Sequence, residues 1–160
     1  MSQQTPHSRD TDPGKEHWKI NIDTGGTFTD GYAVSPDGGS HRTKVLSSGH
    51  IRAQVSSRGH THTLLSGLSP EILEGADVLD INSRKRIGIA ELHGSTLHLK
   101  KDPRYSELLP SIVDLDPGID APLLAMHDLT KTPLSHTLPS IQLRVATTRG
   151  TNALLTNDVA

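Results

Sequence analysis

The stretch Asp23-Thr24-Gly25-Gly26-Thr27-Phe28-Thr29-Asp30 packs two carboxylates, two glycines and three threonines into eight consecutive residues. Glycines give a backbone access to positive φ and let a ligand approach with no Cβ in the way. Successive N–H groups in a tight turn make a nest for an anion, and threonine hydroxyls add donors and acceptors for phosphate oxygens. A carboxylate at Asp23 repels phosphate on its own. It belongs there if Mg²⁺ stands between the two, held through water, because Mg²⁺ keeps much of its hydration shell. The chemistry this stretch points to is a Mg-nucleotide cradle. It is neither a P-loop, which needs G-x-x-x-x-G-K-[ST], nor the dinucleotide pattern G-x-G-x-x-G. A Gly-rich hairpin without a ligand satisfies the same residues, and both readings stand at this point.

A second set of such residues lies in "RVATTRGTNALL", beginning at Arg144. A strand there delivers Thr147, Thr148, Arg149 and Thr151 to the mouth of a helix that starts near Asn152. Free N–H groups and the dipole at a helix N-terminus attract an anion, and Arg149 has the fork that pairs with carboxylate or phosphate. Ligand-free capping by Thr151 or Asn152, worth about 1 kcal/mol, is the alternative. The chain also holds 10 histidines. His60-Thr61-His62 lacks a third ligand at a recognisable spacing, so these histidines are expected on the surface. The basic run Ser83-Arg84-Lys85-Arg86 is expected as a solvated strand edge.

The elements that must position these residues are strands for the most part. Trp18, Ile20 and Ile22 alternate at period two, the stretch from Asp30 continues as a strand after a six-residue turn, and "SPDGG" is a tight-turn signal before a third strand from His41. Residues 18–48 therefore read as a three-stranded antiparallel meander. A short helix or turn is expected from Ser69, with that serine as N-cap. A second hairpin turns around His93-Gly94-Ser95. A short helix is expected over 121–129 with Pro122 in its first turn, and a strand over 141–146. Residues 1–17 are polar and read as a disordered tail.

Only 32% of the 160 residues are apolar and 2% aromatic, so the core is modest and the loops are polar. A net charge of −2 argues against a nucleic-acid partner. No apolar run is long enough to span a membrane, and the N-terminus has no signal-peptide h-region. The absence of cysteine removes disulfides and thiol chemistry. A cytoplasmic protein is the expectation.

Taken together, "IDTGGTFTD" and "ATTRGTNALL" resemble the N-terminal region of the hydantoinase A / 5-oxoprolinase family. The second stretch departs from the family pattern at Ala146, where Gly is usual, and at Thr156, where Glu is usual. The resemblance implies an α/β fold, a partial ribonuclease-H-like (actin-like ATPase) lobe that opens with a three-stranded antiparallel meander. Residues 18–160 would then form an incomplete domain with a β-rich insertion over about 49–140. It implies ATP and Mg²⁺ as cofactors and ATP-dependent hydrolysis of a small-molecule cyclic amide. On that basis Asp23, Thr24, Gly25, Gly26, Thr27, Thr29 and Asp30 bind nucleotide phosphate, with Asp23 on the metal and Asp30 fixing the hairpin. Thr148, Arg149 and Asn152 stand on the catalytic wall. The rest of the nucleotide cleft is expected in the missing remainder of the chain or in a second subunit, which makes the isolated chain an inactive fragment. Two rivals are a non-catalytic assembly module and a small-molecule kinase of the same superfamily; the Thr-Thr-Arg-Gly-Thr-Asn stretch disfavours the kinase.

Overall fold

The computed structural model describes residues 17–147. The expected tail falls almost wholly outside them. Strands β1 (Trp18–Thr24), β2 (Phe28–Val34) and β3 (Ser40–Leu46) form the meander expected from the alternation. Strand β10 (Ile141–Thr147) returns to the free side of β1 and pairs with it in parallel, giving the order β10-β1-β2-β3. One face of this sheet is apolar because Ile20, Ile22, Ala33 and Val45 alternate inward.

Helix α1 (Ala121–Thr130) covers that face with Leu124 and Leu129, both fully buried. Its start agrees with the expected helix: the Asp120 carboxylate caps it by accepting the Leu123 N–H at 3.0 Å, and Pro122 lies in the first turn. Gly31 of β2 lets the helix come close. A Cβ there would lie 2.9 Å from Leu129 Cδ1 and 2.8 Å from Thr43 Cγ2.

Between β3 and α1 the chain leaves the sheet and forms a closed antiparallel barrel. Its strands are β4 (Ile51–Arg58), β5 (Thr61–Ser66), β6 (Asp77–Asp80), β7 (Arg86–His93), β8 (Thr96–Lys101) and β9 (Ile112–Asp116). The barrel order is β4-β5-β8-β7-β6-β9, with β9 closing on β4. Leu64, Val78, Ile87, Leu97, Val113 and Leu115 are buried in it. Gly88 has no room for a side chain, because a Cβ would meet the Lys100 carbonyl at 2.1 Å. Residues 51–116 are thus the barrel, while α1 belongs to the sheet. The described fold is mixed α/β, mostly strands with one helix.

The β7–β8 hairpin turns where expected. The short helix or turn expected from Ser69 is present, but its serine cap is not, and the basic run differs from expectation. After Ser69 the chain makes only a 3-10 turn over Pro70–Ile72, and the serine side chain caps nothing. The basic run is not a strand edge. Its residues 83–85 lie in the β6–β7 turn, where Arg84 takes a left-handed φ of 59° and donates from Nη1 to Asp114 Oδ2 at 2.8 Å. Asp114 is 4% exposed and also receives Arg52 Nε at 2.9 Å, so the turn is pinned to the barrel wall by a buried carboxylate. No helix among the described residues is long and apolar enough to cross a membrane.

Candidate phosphate-binding turn

β1 runs through Thr24 and β2 begins at Phe28, so the loop between them is Gly25-Gly26-Thr27, three residues and not six. Neither glycine takes a positive φ. Conformational need therefore does not explain them. A Cβ on Gly26 would meet nothing within 4 Å, so the glycine borders open space.

The turn's carbonyls are used inward. Gly25 N–H donates to Phe28 O at 2.9 Å, and Ser47 N–H to Thr27 O at 2.9 Å. The Ser47 hydroxyl donates to Gly25 O at 2.9 Å and lies 3.1 Å from Thr29 Oγ1. Ser47 spends its one proton on Gly25, so Thr29 is the donor between the two hydroxyls. Thr29 is fully buried and faces the core. Among the described residues, no hydrogen bond engages the N–H groups of Gly26 or Thr27, both exposed. The Gly25 and Thr27 carbonyls are thus used within the protein while the exposed Gly26 and Thr27 N–H groups are left unengaged, as successive donors open to an anion would be.

Asp23 and Asp30 sit on the opposite sheet face from α1, directly across from each other in register. Lys44 Nζ reaches both Asp30 oxygens, at 2.8 and 3.1 Å. Among the described residues Asp23 has no ion pair. Thr24 is half-buried and stands in register with Thr29 on one side and Thr147 on the other; Thr147 Oγ1 donates to Thr24 O at 3.4 Å. The parallel pairing also sets Asp23 opposite Ala146. Thr148, Arg149, Thr151 and Asn152 lie outside the described residues. Ser47 and Lys44 were not singled out by the sequence. Their partners are 14 to 22 residues away, and nothing in the local pattern marks them.

Beside the turn, the sheet face carrying Asp23 forms a groove of about 730 Å³. Asn21, Tyr32, Arg42 and Arg144 line it together with Asp23, Asp30 and Lys44. The histidine pair of the β4–β5 hairpin does not line it, and His62 Nδ1 pairs with Ser57 Oγ at 2.8 Å. Among the described residues no group of three or more His, Asp or Glu side chains converges as a metal cage. Mg²⁺ needs no such cage, since one or two carboxylates and substrate phosphates hold it. No family model, curated protein or solved structure matches the chain.

Proposed function

We propose that the chain is the nucleotide-phosphate-binding part of an ATP-dependent hydrolase of cyclic amides, a partial ribonuclease-H-like lobe with a β-barrel set into it. One observation carries the reading. The parallel β1–β10 pair sets Asp23-Thr24 beside Ala146-Thr147 at the carboxyl ends of two parallel strands. The two stretches that carry the family resemblance are 123 residues apart at Thr24 and Thr147, yet they meet in register. In open sheets ligands settle in the crevice outside such strand ends, and the unengaged donors of Gly26 and Thr27 border it.

In this role the turn's N–H groups and the Thr27 hydroxyl hold phosphate oxygens. Ser47 and Thr29 keep the turn in shape from behind. Asp23 holds Mg²⁺ through water, and Lys44 neutralises Asp30 so that a single free carboxylate faces the metal. Bound Mg²⁺ supplies the charge neutralisation on which phosphoryl transfer depends. Thr148, Arg149 and Asn152 stay assigned to the facing wall. The fit rests on unengaged donors beside an unpaired carboxylate.

The test is calorimetric titration of Mg-ATP into the full chain, the Asp23→Ala variant and the Gly26→Val variant. Gly26 has an ordinary φ and open space around its Cβ position, so valine obstructs the crevice without straining the fold. Binding that weakens about ten-fold or more in both variants supports the site; a ten-fold loss equals 1.4 kcal/mol. Binding that both variants leave intact overturns it. A folded chain that binds no ATP favours a second reading, an assembly module. That reading has its own observation: Leu143 and Val145 of β10 are 43% and 58% exposed, an apolar pair of the kind a partner covers.

A further inference from the structure

The groove beside Asp23 is ordered as two rows running across the strands. Arg144, Asn21, Tyr32 and Arg42 form the first, each directly opposite the next in register; Ala146, Asp23, Asp30 and Lys44 form the second. Neighbours within a row are about 4.8 Å apart and the rows about 6.7 Å apart, by the spacing of strands and residues in a sheet. Arg42 lies over the Tyr32 ring at 5.7 Å, and Lys44 is taken up by Asp30. Among the described residues, no hydrogen bond or ion pair engages the side chains of Asn21 or Arg144. The row nearest the unpaired Asp23 thus offers a free carboxamide with an aromatic ring on one side and a free guanidinium on the other.

A carboxamide presents one acceptor and one donor side by side. A ring amide is locked cis, so its own N–H and C=O also point the same way. The two edges match as a pair of antiparallel hydrogen bonds. An open-chain amide is trans and carries its donor and acceptor on opposite edges, so it satisfies only one half of Asn21. We infer that Asn21 is a specificity-determining residue that reads the cis-amide edge of a cyclic amide, with Tyr32 flanking the ring and Arg144 taking an anionic substituent on it. Hydrolysis of a simple lactam replaces the paired edge with a carboxylate and an ammonium, so for such a ring the contact that selects the substrate no longer fits the product. Asn21 and Asp23 lie two residues apart on one strand and one face, which sets a ring held at Asn21 next to the phosphate end of the site.

This inference rests on the proposed function for the identity of the reaction, and its test separates the two. The ¹⁵N-labelled full chain is titrated with hydantoin and 2-pyrrolidone, then with N-methyl-2-pyrrolidone and N-methylacetamide as ligands without a cis N–H edge. Mg-ATP is titrated separately and read at the Gly26 and Thr27 amides. The expected result is a saturable shift of the Asn21 side-chain NH₂ signals with the two N–H ring amides, and binding about ten-fold weaker for the two controls, the worth of one to two net hydrogen bonds. Asn21→Ser should weaken the ring amides to the level of the controls, and Asn21→Gln should recover part of the loss. Adding a carboxylate, as in 2-pyrrolidone-5-carboxylate, should tighten binding in the native chain and not in Arg144→Gln.

Equal binding of N-methyl-2-pyrrolidone, or ring-amide binding untouched by Asn21→Ser, overturns the inference. So does ATP binding at the turn with no ring amide at Asn21, which leaves the proposed function standing. Ring amides at Asn21 without ATP at the turn support the inference and count against the proposed function. The absence of both ligands from a folded chain overturns both.

Discussion

Asp23 stands directly opposite Asp30 across the β1–β2 pair, and only Asp30 is answered: Lys44 bonds both of its oxygens. Like charges facing each other on a sheet oppose folding. The arrangement neutralises one carboxylate and, among the described residues, leaves the other without an ion pair. Lys44 is held to this task by its own strand, because β3 sets it opposite Asp30 and its ammonium lies 4.8 Å from the Phe28 ring centre.

Lys44→Met should therefore lower stability by about 0.5–1 kcal/mol, the upper part of the range for exposed pairs, because it also uncovers the carboxylate repulsion. Adding Asp23→Asn should restore part of the loss. Urea midpoints of the two single variants and the double variant measure the coupling. If Asp23→Asn has the same effect with and without Lys44, the two carboxylates do not interact.

Ser47 carries the shape of the turn through Gly25 O and Thr29. Ser47→Ala should cost about 1–2 kcal/mol, the penalty for a part-buried acceptor and donor left unmade. It should also weaken any Mg-ATP binding several-fold by loosening the nest. A variant that loses stability and keeps full ATP affinity would show that the turn holds its form without the serine.

Alternation at period two made the meander legible: Trp18, Ile20 and Ile22 share a face, and the Pro-Asp-Gly-Gly turn closes it. The helix at Ala121 was legible from the proline in its first turn. The barrel was not. β4 alternates with weak members such as Ala53, Ser56 and Ser57, and β9 buries Val113, Asp114 and Leu115 in succession, so neither gives a clean period. Its closure pairs Ile51 with Leu115, a contact no local pattern encodes. For the site, the residue types of the turn were readable and their division of labour was not. Thr29 looks inward because it falls on the core face of β2, a consequence of the strand starting at Phe28. The meeting of Thr24 with Thr147 depends on a parallel pairing that only the assembled sheet reveals.

Gly31→Ala should destabilise by about 1–3 kcal/mol, the range for overpacking a filled core, because the new methyl would sit 2.9 Å from Leu129 Cδ1. Leu129→Ala costs stability on its own through the cavity it leaves. In the double variant the two losses should add up to less than their sum, since each makes room for the other. Strict additivity in thermal or urea unfolding would mean that α1 shifts away from β2 instead of clashing with it.

Asp80 gives the barrel a pH dependence. Its carboxylate is buried and accepts the Ser83 N–H at 2.7 Å and the Asn82 N–H at 2.8 Å. These backbone donors, Ser83 first, hold its pKa below the ordinary aspartate value of 3.8. A carboxylate whose folded pKa is depressed contributes stability that is complete above the unfolded value and is lost as pH falls toward the folded one. Asp80→Asn keeps an acceptor and removes the charge, so it should lower the urea midpoint by a constant amount above about pH 5. That gap should close as the pH drops below 3.8, when the native carboxyl takes up its proton. The β6–β7 turn that Asp80 organises also carries Arg84 to Asp114, so the variant should loosen hydrogen-exchange protection in that turn at neutral pH. A gap that stays constant down to about pH 2.5 would mean that the turn does not depend on the charge of Asp80.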